Sequence, residues 1–308
     1  MRILITGASG VVGRRVVPQL VAAGHQVSAG VHSPATRGRL EALGARAVQV
    51  DLFDRSSIPR SVAGHDTVIN LATHIPHSTA KLLLPGAWRE NDRIRRVASG
   101  LLVDAAIAGG VTRFIQESFA PVYADQGDAW ITEDSPLVPV RYNRTVLDAE
   151  RSAERFARGG GRGIVLRFAG FYGPDSTQLG DMLQNVRRGM LPLPGDPGAY
   201  FTFVSHDDAA GAVLAALSLE SGTYNVAEDE PVTRQVMGDI VADLLGVKPP
   251  RRPVPRLITR LLGSLGELMS RSERISNRKL RGASRWRPRY PSLREGLRAT
   301  LEQRRNAA

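Results

Sequence analysis

A glycine-rich loop near the start of the chain has the residue types and the spacing needed to hold a pyrophosphate. Gly7, Gly10 and Gly13 follow the mostly apolar run Ile3–Thr6, which is predicted to be a strand. The first glycine suits a tight turn, the second lets the backbone approach a phosphate, and the third lets a helix pack closely on the strand. The helix that follows presents free N–H groups and the positive end of its dipole. The loop therefore predicts a dinucleotide-binding site.

Polar residues at the ends of two further predicted strands fit the same ligand. Asp51 ends the third predicted strand, where its carboxylate can accept a hydrogen bond from an adenine amino group. Asn70, Leu71 and Ala72 end the fourth predicted strand. Because ligands of open α/β sheets bind at the carboxyl ends of the strands, these residues are expected to lie beside the cofactor.

The end of the second predicted strand distinguishes two forms of the cofactor. An acid there holds the ribose hydroxyls of NAD, whereas a base favours the 2′-phosphate of NADP. The chain has no acid between residues 26 and 40 and offers His32, Ser33, Arg37 and Arg39 instead. The sequence therefore predicts a nicotinamide cofactor, with NADP preferred to NAD. The predicted contacts are Gly7, Ser9, Gly10, Val11, Val12, Gly13, His32, Ser33, Arg37, Asp51, Leu52, Leu71, Ala72 and Thr73.

Short apolar runs alternate with amphipathic stretches over residues 1–173, which is the rhythm of a parallel sheet with crossover helices. The fold class is therefore α/β: a doubly wound Rossmann domain over residues 1–173 and a smaller, mainly substrate-binding lobe over residues 174–308. Some of the second part is expected to return to the Rossmann core. The predicted strands are Ile3–Thr6, Gln26–Val31, Ala47–Val50, Thr67–Leu71, Arg113–Glu117 and Gly163–Phe168, and the predicted helices begin near Val11, Ala35, Ser56, Ala87 and Arg144.

The composition limits the classes of protein and partner. The 308 residues contain no cysteine, which excludes disulfides, thiolate catalysis and cysteine-bound metals. The formal net charge is +11, and residues 248–308 hold 17 Lys and Arg against 4 Asp and Glu. This basic segment is interpreted as a solvated surface, because its few aromatic residues are not interleaved with basic ones as nucleic-acid stacking requires. A small-molecule substrate is expected, and no nucleic acid.

Residues 257–269 repeat leucine, isoleucine and methionine at helical spacing. With Arg256 and Arg260 alongside, such a helix could lie on a membrane. Packing on the second lobe or at a subunit interface is the favoured interpretation, and it leaves a homodimer open. No run reaches the roughly 18 apolar residues that cross a bilayer, and the first residues do not have the pattern of a signal peptide. A cytoplasmic protein without a membrane partner is expected.

The chain resembles the short-chain dehydrogenase/reductase superfamily, in the extended or atypical branch that includes NAD-dependent epimerases and dehydratases. The resemblance covers nearly the whole chain. Its landmarks are the loop Thr6–Gly13, Asp51, Asn70 to Ala72, Ser118 to Tyr123, Arg167, Tyr172 to Pro174, and Trp286 to Pro288. The segment Leu166–Phe168 is similar to the family loop that lines the nicotinamide site, so the resemblance adds Phe168 to the cofactor contacts.

The resemblance also implies a catalytic motif, Tyr-x-x-x-Lys, in which the tyrosine exchanges a proton with the substrate oxygen. Tyr142 matches the tyrosine, but Val146 stands at the lysine position. A tyrosine without that lysine has a pKa of about 10, so it can donate a proton but is a poor base. Arg144 is no substitute, because a residue two positions along a helix lies on another face.

Ser118 and Glu117 are the candidates at the end of the fifth predicted strand. Counting back from Tyr123 places the serine of the family motif at Phe119, so Ser118 matches only if the loop gains one residue. The resemblance gives Ser118 the role of holding the substrate oxygen. Glu117 stands where the family usually has a small hydroxyl residue. A glutamate at the mouth of an apolar sheet can have a raised pKa and act as acid or base; alternatively it caps a loop or pairs with an arginine.

Two histidines, His74 and His77, follow the fourth predicted strand at the edge where the chemistry is expected. Either could be the titratable group that replaces the lysine, or an ordinary loop histidine. No acid cluster accompanies them, which argues against a metal site. The candidate catalytic residues are therefore Tyr142, Ser118, Glu117 and His74, with no metal.

Three functions are compatible with these residues. The first is an NAD(P)-dependent oxidoreductase acting on a carbonyl or hydroxyl group of a small molecule, with Tyr142 as proton donor and Ser118 holding the alkoxide. The second is an epimerase, dehydratase or cyclase that retains its cofactor, with Glu117 or His74 as the base. The third is a dinucleotide-binding sensor without catalysis.

Overall fold

The structure is a computed structural model that describes residues 1–31, 33–75, 86–141, 143–251, 253 and 256–306. The strands, in chain order, are β1 (Arg2–Thr6), β2 (Gln26–Val31), β3 (Arg46–Gln49), β4 (Thr67–Asn70), β5 (Arg113–Phe119), β6 (Arg162–Phe168), β7 (Gly170–Tyr172), β8 (Tyr200–Phe201), β9 (Phe203–Ser205), β10 (Gly222–Val226) and β11 (Val232–Thr233). Seven of them form one sheet in the order β3-β2-β1-β4-β5-β6-β10, and every neighbouring pair in it is parallel. The Rossmann fold predicted from the sequence is confirmed.

Helices cover both faces of this sheet. On one face, Ile3 and Ile5 of β1 belong to a core that includes residues of α1 and α8, and on the other Leu4 packs with residues of α5 and α6. Burial on both faces explains why the strands are nearly continuous apolar runs. The helices are α1 (Gly13–Ala22), α2 (Pro34–Glu41), α3 (Ile58–Val62), α4 (Arg89–Arg93), α5 (Ser99–Ala108), α6 (Val146–Arg158), α7 (Thr177–Arg187), α8 (His206–Ala215), α9 (Arg234–Leu245), α10 (Arg256–Leu261), α11 (Gly263–Ser270), α12 (Arg278–Ala283) and α13 (Leu293–Asn306). A π-helical turn, Ile94–Ala98, joins α4 to α5.

The chain after β6 builds a second apolar cluster and then returns to the sheet. β7 pairs with β9, β8 pairs with β11, and the cluster takes side chains from α7, α9 and α13. Helix α8 packs on α1, and β10 adds the seventh strand beside β6. Some return to the Rossmann core is expected from the sequence, but β10 itself is not predicted. The division at residue 173 stays a prediction.

The leucine-rich segment predicted to be helical forms α10 and α11. Leu265 and Leu268 are buried, whereas Leu257 and Leu261 are 68% and 78% exposed. The segment therefore packs on the rest of the chain through α11. Within the described residues, no helix is long and apolar enough to cross a membrane.

Candidate active site

The glycine loop has the backbone conformation that its sequence predicts. Gly7 has a φ of 70°, and a Cβ placed there would lie 2.3 Å from the carbonyl oxygen of Leu71. A Cβ on Gly13 would lie 2.3 Å from the carbonyl oxygen of Gly7. The amide of Gly10 donates to the same oxygen at 3.0 Å. Side chains are therefore excluded at Gly7 and Gly13 by backbone atoms, and the loop is held in a tight turn against the end of β4.

Helix α1 begins at Gly13, two residues later than predicted. Val12 precedes it, and within the described residues no side chain caps this end. The amides of Arg14 and Arg15 donate to the carbonyl oxygens of Gly10 and Val12. Among the described residues of the loop and the first turn, the amides of Val11, Val12 and Gly13 have no such partner and remain available to an anion. Ser9, Gly10 and Val11 are exposed and form the rim of the loop. This is the arrangement expected for binding a pyrophosphate.

Arg15 ties the glycine loop to the second part of the chain. Its Nη1 donates to the carbonyl oxygen of Val11 at 2.7 Å, while its Nη2 and Nε bind Asp175 at 2.8 Å and Asp207 at 2.7 Å. Asp175 follows β7 and Asp207 lies in the first turn of α8, so one guanidinium bridges the loop to both.

The described residues among those predicted to bind the adenosine half follow β2 and β3 in the chain. Ser33 directly precedes α2. Arg37 lies in α2, donates to the carbonyl oxygen of Ala47 at 3.3 Å and approaches Glu41 to 3.6 Å. Asp51 is exposed and accepts from the amide of Phe53 at 2.9 Å, and Leu52 is half-buried. His32 lies outside the described residues.

At the end of β4, a buried amide connects three strands. Asn70 accepts from the hydroxyl of Thr6 at 2.6 Å and donates to Gln116 at 2.9 Å. Leu71 and Ala72 follow and are buried. These hydrogen bonds therefore join the carboxyl ends of β1, β4 and β5 at the edge of the sheet where the cofactor is expected.

Beyond this strand, Thr73 is half-buried and His74 is exposed. The amide of His74 donates to Oδ1 of Asn91 in α4 at 3.0 Å, which fixes the loop after β4 against that helix. His77 lies outside the described residues. No group of three His, Cys, Asp or Glu among the described residues could hold a metal ion.

Helix α6 begins at Val146, the position at which the family motif has a lysine. Val146 is fully buried. The residue before it, Thr145, donates its hydroxyl to Asp92 of α4 at 2.8 Å, so the start of α6 is fixed against α4. Tyr142 lies outside the described residues. Phe168 is buried, with its ring centroid 5.4 Å from that of Phe171.

Ser118 belongs to a buried polar network rather than to an exposed surface. Its hydroxyl donates to Glu150 of α6 at 2.5 Å. Arg167 holds the same carboxylate through two bonds, 2.8 Å and 2.6 Å, and donates to the hydroxyl of Tyr123 at 2.8 Å. Tyr123 in turn donates to Asn225 of β10 at 2.7 Å, and burial raises the pKa of Tyr123 to about 12. The network joins β5, α6, β6 and β10, and in it the Ser118 hydroxyl is already engaged.

Glu117 and Arg95 form a second polar pair at the carboxyl end of β5, and their side chains are 12% and 6% exposed. Nη2 of Arg95 lies 3.4 Å from Oε1 of Glu117. Burial raises the pKa of Glu117, and the nearby guanidinium only partly opposes that shift. The sequence supports two alternatives for Glu117, a raised pKa with a role in proton transfer or a pairing with an arginine, and the structure shows a feature of each. Arg95 lies in the π-helical turn and was not identified from the sequence, since an arginine on an amphipathic helix usually faces solvent.

A protein-family model matches most of the chain, in agreement with the fold and the site. The model of the NAD dependent epimerase/dehydratase family matches residues 3–227. The chain belongs to that family.

Its relatives include named reductases. The 3-diazoavenalumate denitrifying reductase of a Streptomyces species is 33% identical over 310 residues, which cover 96% of this chain and 99% of that protein. The 2-alkyl-3-oxoalkanoate reductase of Shewanella oneidensis is 27% identical over 85% of this chain and 71% of its own. Among solved structures, MoeE5 in complex with UDP-glucuronic acid and NAD has a TM-score of 0.78 and 25% identity, with all of both chains covered. The protein is therefore an enzyme of a nicotinamide-dependent class.

Proposed function

We propose that the protein is an NAD(P)H-dependent reductase of a small-molecule carbonyl group, in which Glu117 and Tyr142 are the candidate proton donors. The bound dinucleotide would supply a hydride to the carbonyl carbon, and the oxygen would take up one proton to give an alcohol. The observation that carries the proposal is the buried Glu117 carboxyl at the carboxyl end of β5, beside a helix whose lysine position is the buried Val146.

Reduction is the direction that these residues favour. Oxidation of an alcohol, or epimerisation, needs a base that removes a proton, and a tyrosine without a neighbouring lysine is a poor one. Reduction needs only a proton donor. A carboxyl group whose pKa is raised by burial fills that role in its protonated form, as does a neutral tyrosine. The two relatives named above are reductases, and one acts on an oxoalkanoate by name.

Ser118 is assigned a positioning role in this proposal. Its hydroxyl donates to Glu150, which Arg167 also holds, so it fixes β5 against α6. Contact of Ser118 with an alkoxide would require breaking this buried bond. His74 is exposed, and we assign it to the rim of the site rather than to proton transfer.

The test is consumption of reduced cofactor with a panel of ketones and oxo acids, using NADPH or NADH deuterated at the transferring position of nicotinamide C4. Deuterium in the alcohol product demonstrates hydride transfer. Loss of the proton donor in Glu117→Gln is expected to lower kcat by roughly 10²–10⁴. Tyr142→Phe is the matched variant, because it removes only a hydroxyl. Wild-type kcat in Glu117→Gln excludes Glu117 as the donor, and cofactor binding without turnover of any compound favours the sensor function.

We further propose that NADP is preferred to NAD. The support is the absence of an acid between residues 26 and 40 together with Arg37, which lies in α2 beside β3. Arg37→Gln is expected to weaken NADPH binding and to leave the Kd for NADH unchanged, measured by cofactor fluorescence. Arg46→Gln, at the amino end of β3, is the control. Equal losses for both cofactors in Arg37→Gln would contradict the preference.

A further inference from the structure

We propose that Arg95 binds a carboxylate of the substrate, so that the substrates are carbonyl compounds that carry an acid group. The inference names the substrate class of the site described above and rests on the proposed reduction only for the identity of the reacting group. Its basis is the pair of polar side chains at the end of β5, Arg95 and Glu117.

Each member of the pair has a buried polar atom with no hydrogen-bond partner among the described residues: Nε of Arg95 and Oε2 of Glu117. Arg95 is 5% exposed, and its one ion-pair contact in the described residues, at 3.4 Å, is long. Native structures satisfy most such buried atoms with protein, water or ligand. The pair therefore lacks a third group.

The charge of the pair indicates that the third group is an anion. A guanidinium keeps its charge in proteins, whereas burial favours the neutral form of Glu117. The other charged side chains near the pair already have partners: Arg96 with Asp148, Asp92 with Thr145, and Glu150 with Arg167. The 3.4 Å contact with Oε1 of Glu117 leaves Nε of Arg95 without a partner among the described residues, and a substrate carboxylate would accept a charged hydrogen bond from it.

The position of Arg95 places that anion within the reaction site. Arg95 follows α4, which is fixed on one side by the bond from the His74 amide to Asn91 and on the other by the bond from Thr145 to Asp92. The π-helical turn therefore lies between the loop after β4 and the start of α6. Such turns inside α-helices are frequent at functional sites.

The test compares an oxo acid with its uncharged ester. Acetoacetate and benzoylacetate are assayed beside their methyl esters with wild type, Arg95→Gln, Arg95→Lys and Arg96→Gln. We expect Arg95→Gln to raise KM for the acids by about 10- to 100-fold, the range for one charged hydrogen bond, and to raise KM for the esters far less. The comparison uses KM and not kcat, because Arg95 contacts Glu117, the proposed proton donor. Arg95→Lys is expected to recover part of the loss. Arg96→Gln is the control, since Arg96 is half-exposed and pairs with Asp148.

Binding separates this inference from the proposed function. Calorimetric titration of benzoylacetate into protein saturated with oxidised cofactor measures the acid without any reaction. Binding that is lost in Arg95→Gln, while cofactor Kd is kept, supports the inference even if no compound is reduced. Reduction with equal KM for acid and ester in wild type overturns the inference and leaves the proposed function standing. Equal losses for acid and ester in Arg95→Gln, or no binding of benzoylacetate to wild type, also overturn it.

Discussion

Removing one member of the buried pair Glu150–Arg167 is expected to destabilise the protein strongly. The side chains are 3% and 5% exposed, and two hydrogen bonds of 2.8 Å and 2.6 Å join them. Glu150→Gln leaves the guanidinium buried without a counter-charge, and Arg167→Met leaves the carboxylate in the same state. Breaking a buried pair in this way costs about 3–5 kcal/mol, which is a large part of the roughly 5–15 kcal/mol by which proteins of ordinary stability are folded.

A double-mutant cycle isolates the pair from the rest of the network. The free energy of unfolding is measured by urea denaturation for wild type, Glu150→Gln, Arg167→Met and the double variant. Because the double variant leaves no buried charge unpaired, its loss is expected to be well below the sum of the single losses. Glu220→Gln is the control: it breaks an ion pair of exposed side chains with Arg162 and should cost less than about 1 kcal/mol. A loss in Glu150→Gln as small as that of the control would refute the reasoning.

Three further outcomes are expected. Gly7→Ala should abolish dinucleotide binding, measured by cofactor fluorescence. Gly24 has a similar φ of 79° but no atom within 4 Å of an added Cβ, so Gly24→Ala should keep the binding. Equal losses in the two variants would assign the effect to backbone strain alone. Val146→Lys buries an unpaired ammonium and should lower the thermal midpoint more than Val146→Leu does. Burial raises the pKa of Glu273 to about 8, above its unfolded value, so its contribution to stability is full below the unfolded pKa and is lost as pH rises towards about 8. Glu273→Gln should remove this pH dependence, which is up to about 1.4 kcal/mol per pH unit. The free energy of unfolding is measured in urea at several pH values between the unfolded pKa of Glu273 and about 8. The same pH dependence in wild type and Glu273→Gln would contradict the prediction.

The parts of the fold that were predicted correctly follow from local sequence. The six predicted strands end within two residues of β1 to β6, because each is an apolar run between glycines or polar turns. The glycine loop was predictable because its spacing reflects backbone contacts that allow no side chain at Gly7 or Gly13. Strand β10 was missed because its Thr223 and Asn225 are polar. The buried Asn225 bonds to Tyr123 and Glu133, which are distant in the chain.

The candidate site was harder to predict because its partners are far apart in the chain. Glu117 was identified from its position at the end of a strand, but its neighbour Arg95 lies 22 residues earlier, in a helix whose charge pattern indicates a solvent-facing surface. Ser118 was assigned to the substrate from the family resemblance, yet its bond to Glu150 depends on how α6 packs on β5. The identity and order of the residues do not by themselves reveal how α6 packs on β5.

The late position of β10 in the chain affects how the protein is synthesised and handled. Until residues 222–226 have left the ribosome, β6 is an edge strand of the sheet. Its backbone N–H and C=O groups on the side of β10 are then unpaired, and its side chains are mostly apolar. Such an edge recruits other strands and promotes aggregation. In the finished chain, α12 packs against β10, and the Lys279 ammonium lies 5.2 Å from the Tyr224 ring centroid. A fragment that ends at residue 173 should therefore aggregate during expression. In a fragment that extends through α12, β10 pairs with β6 and α12 packs against β10.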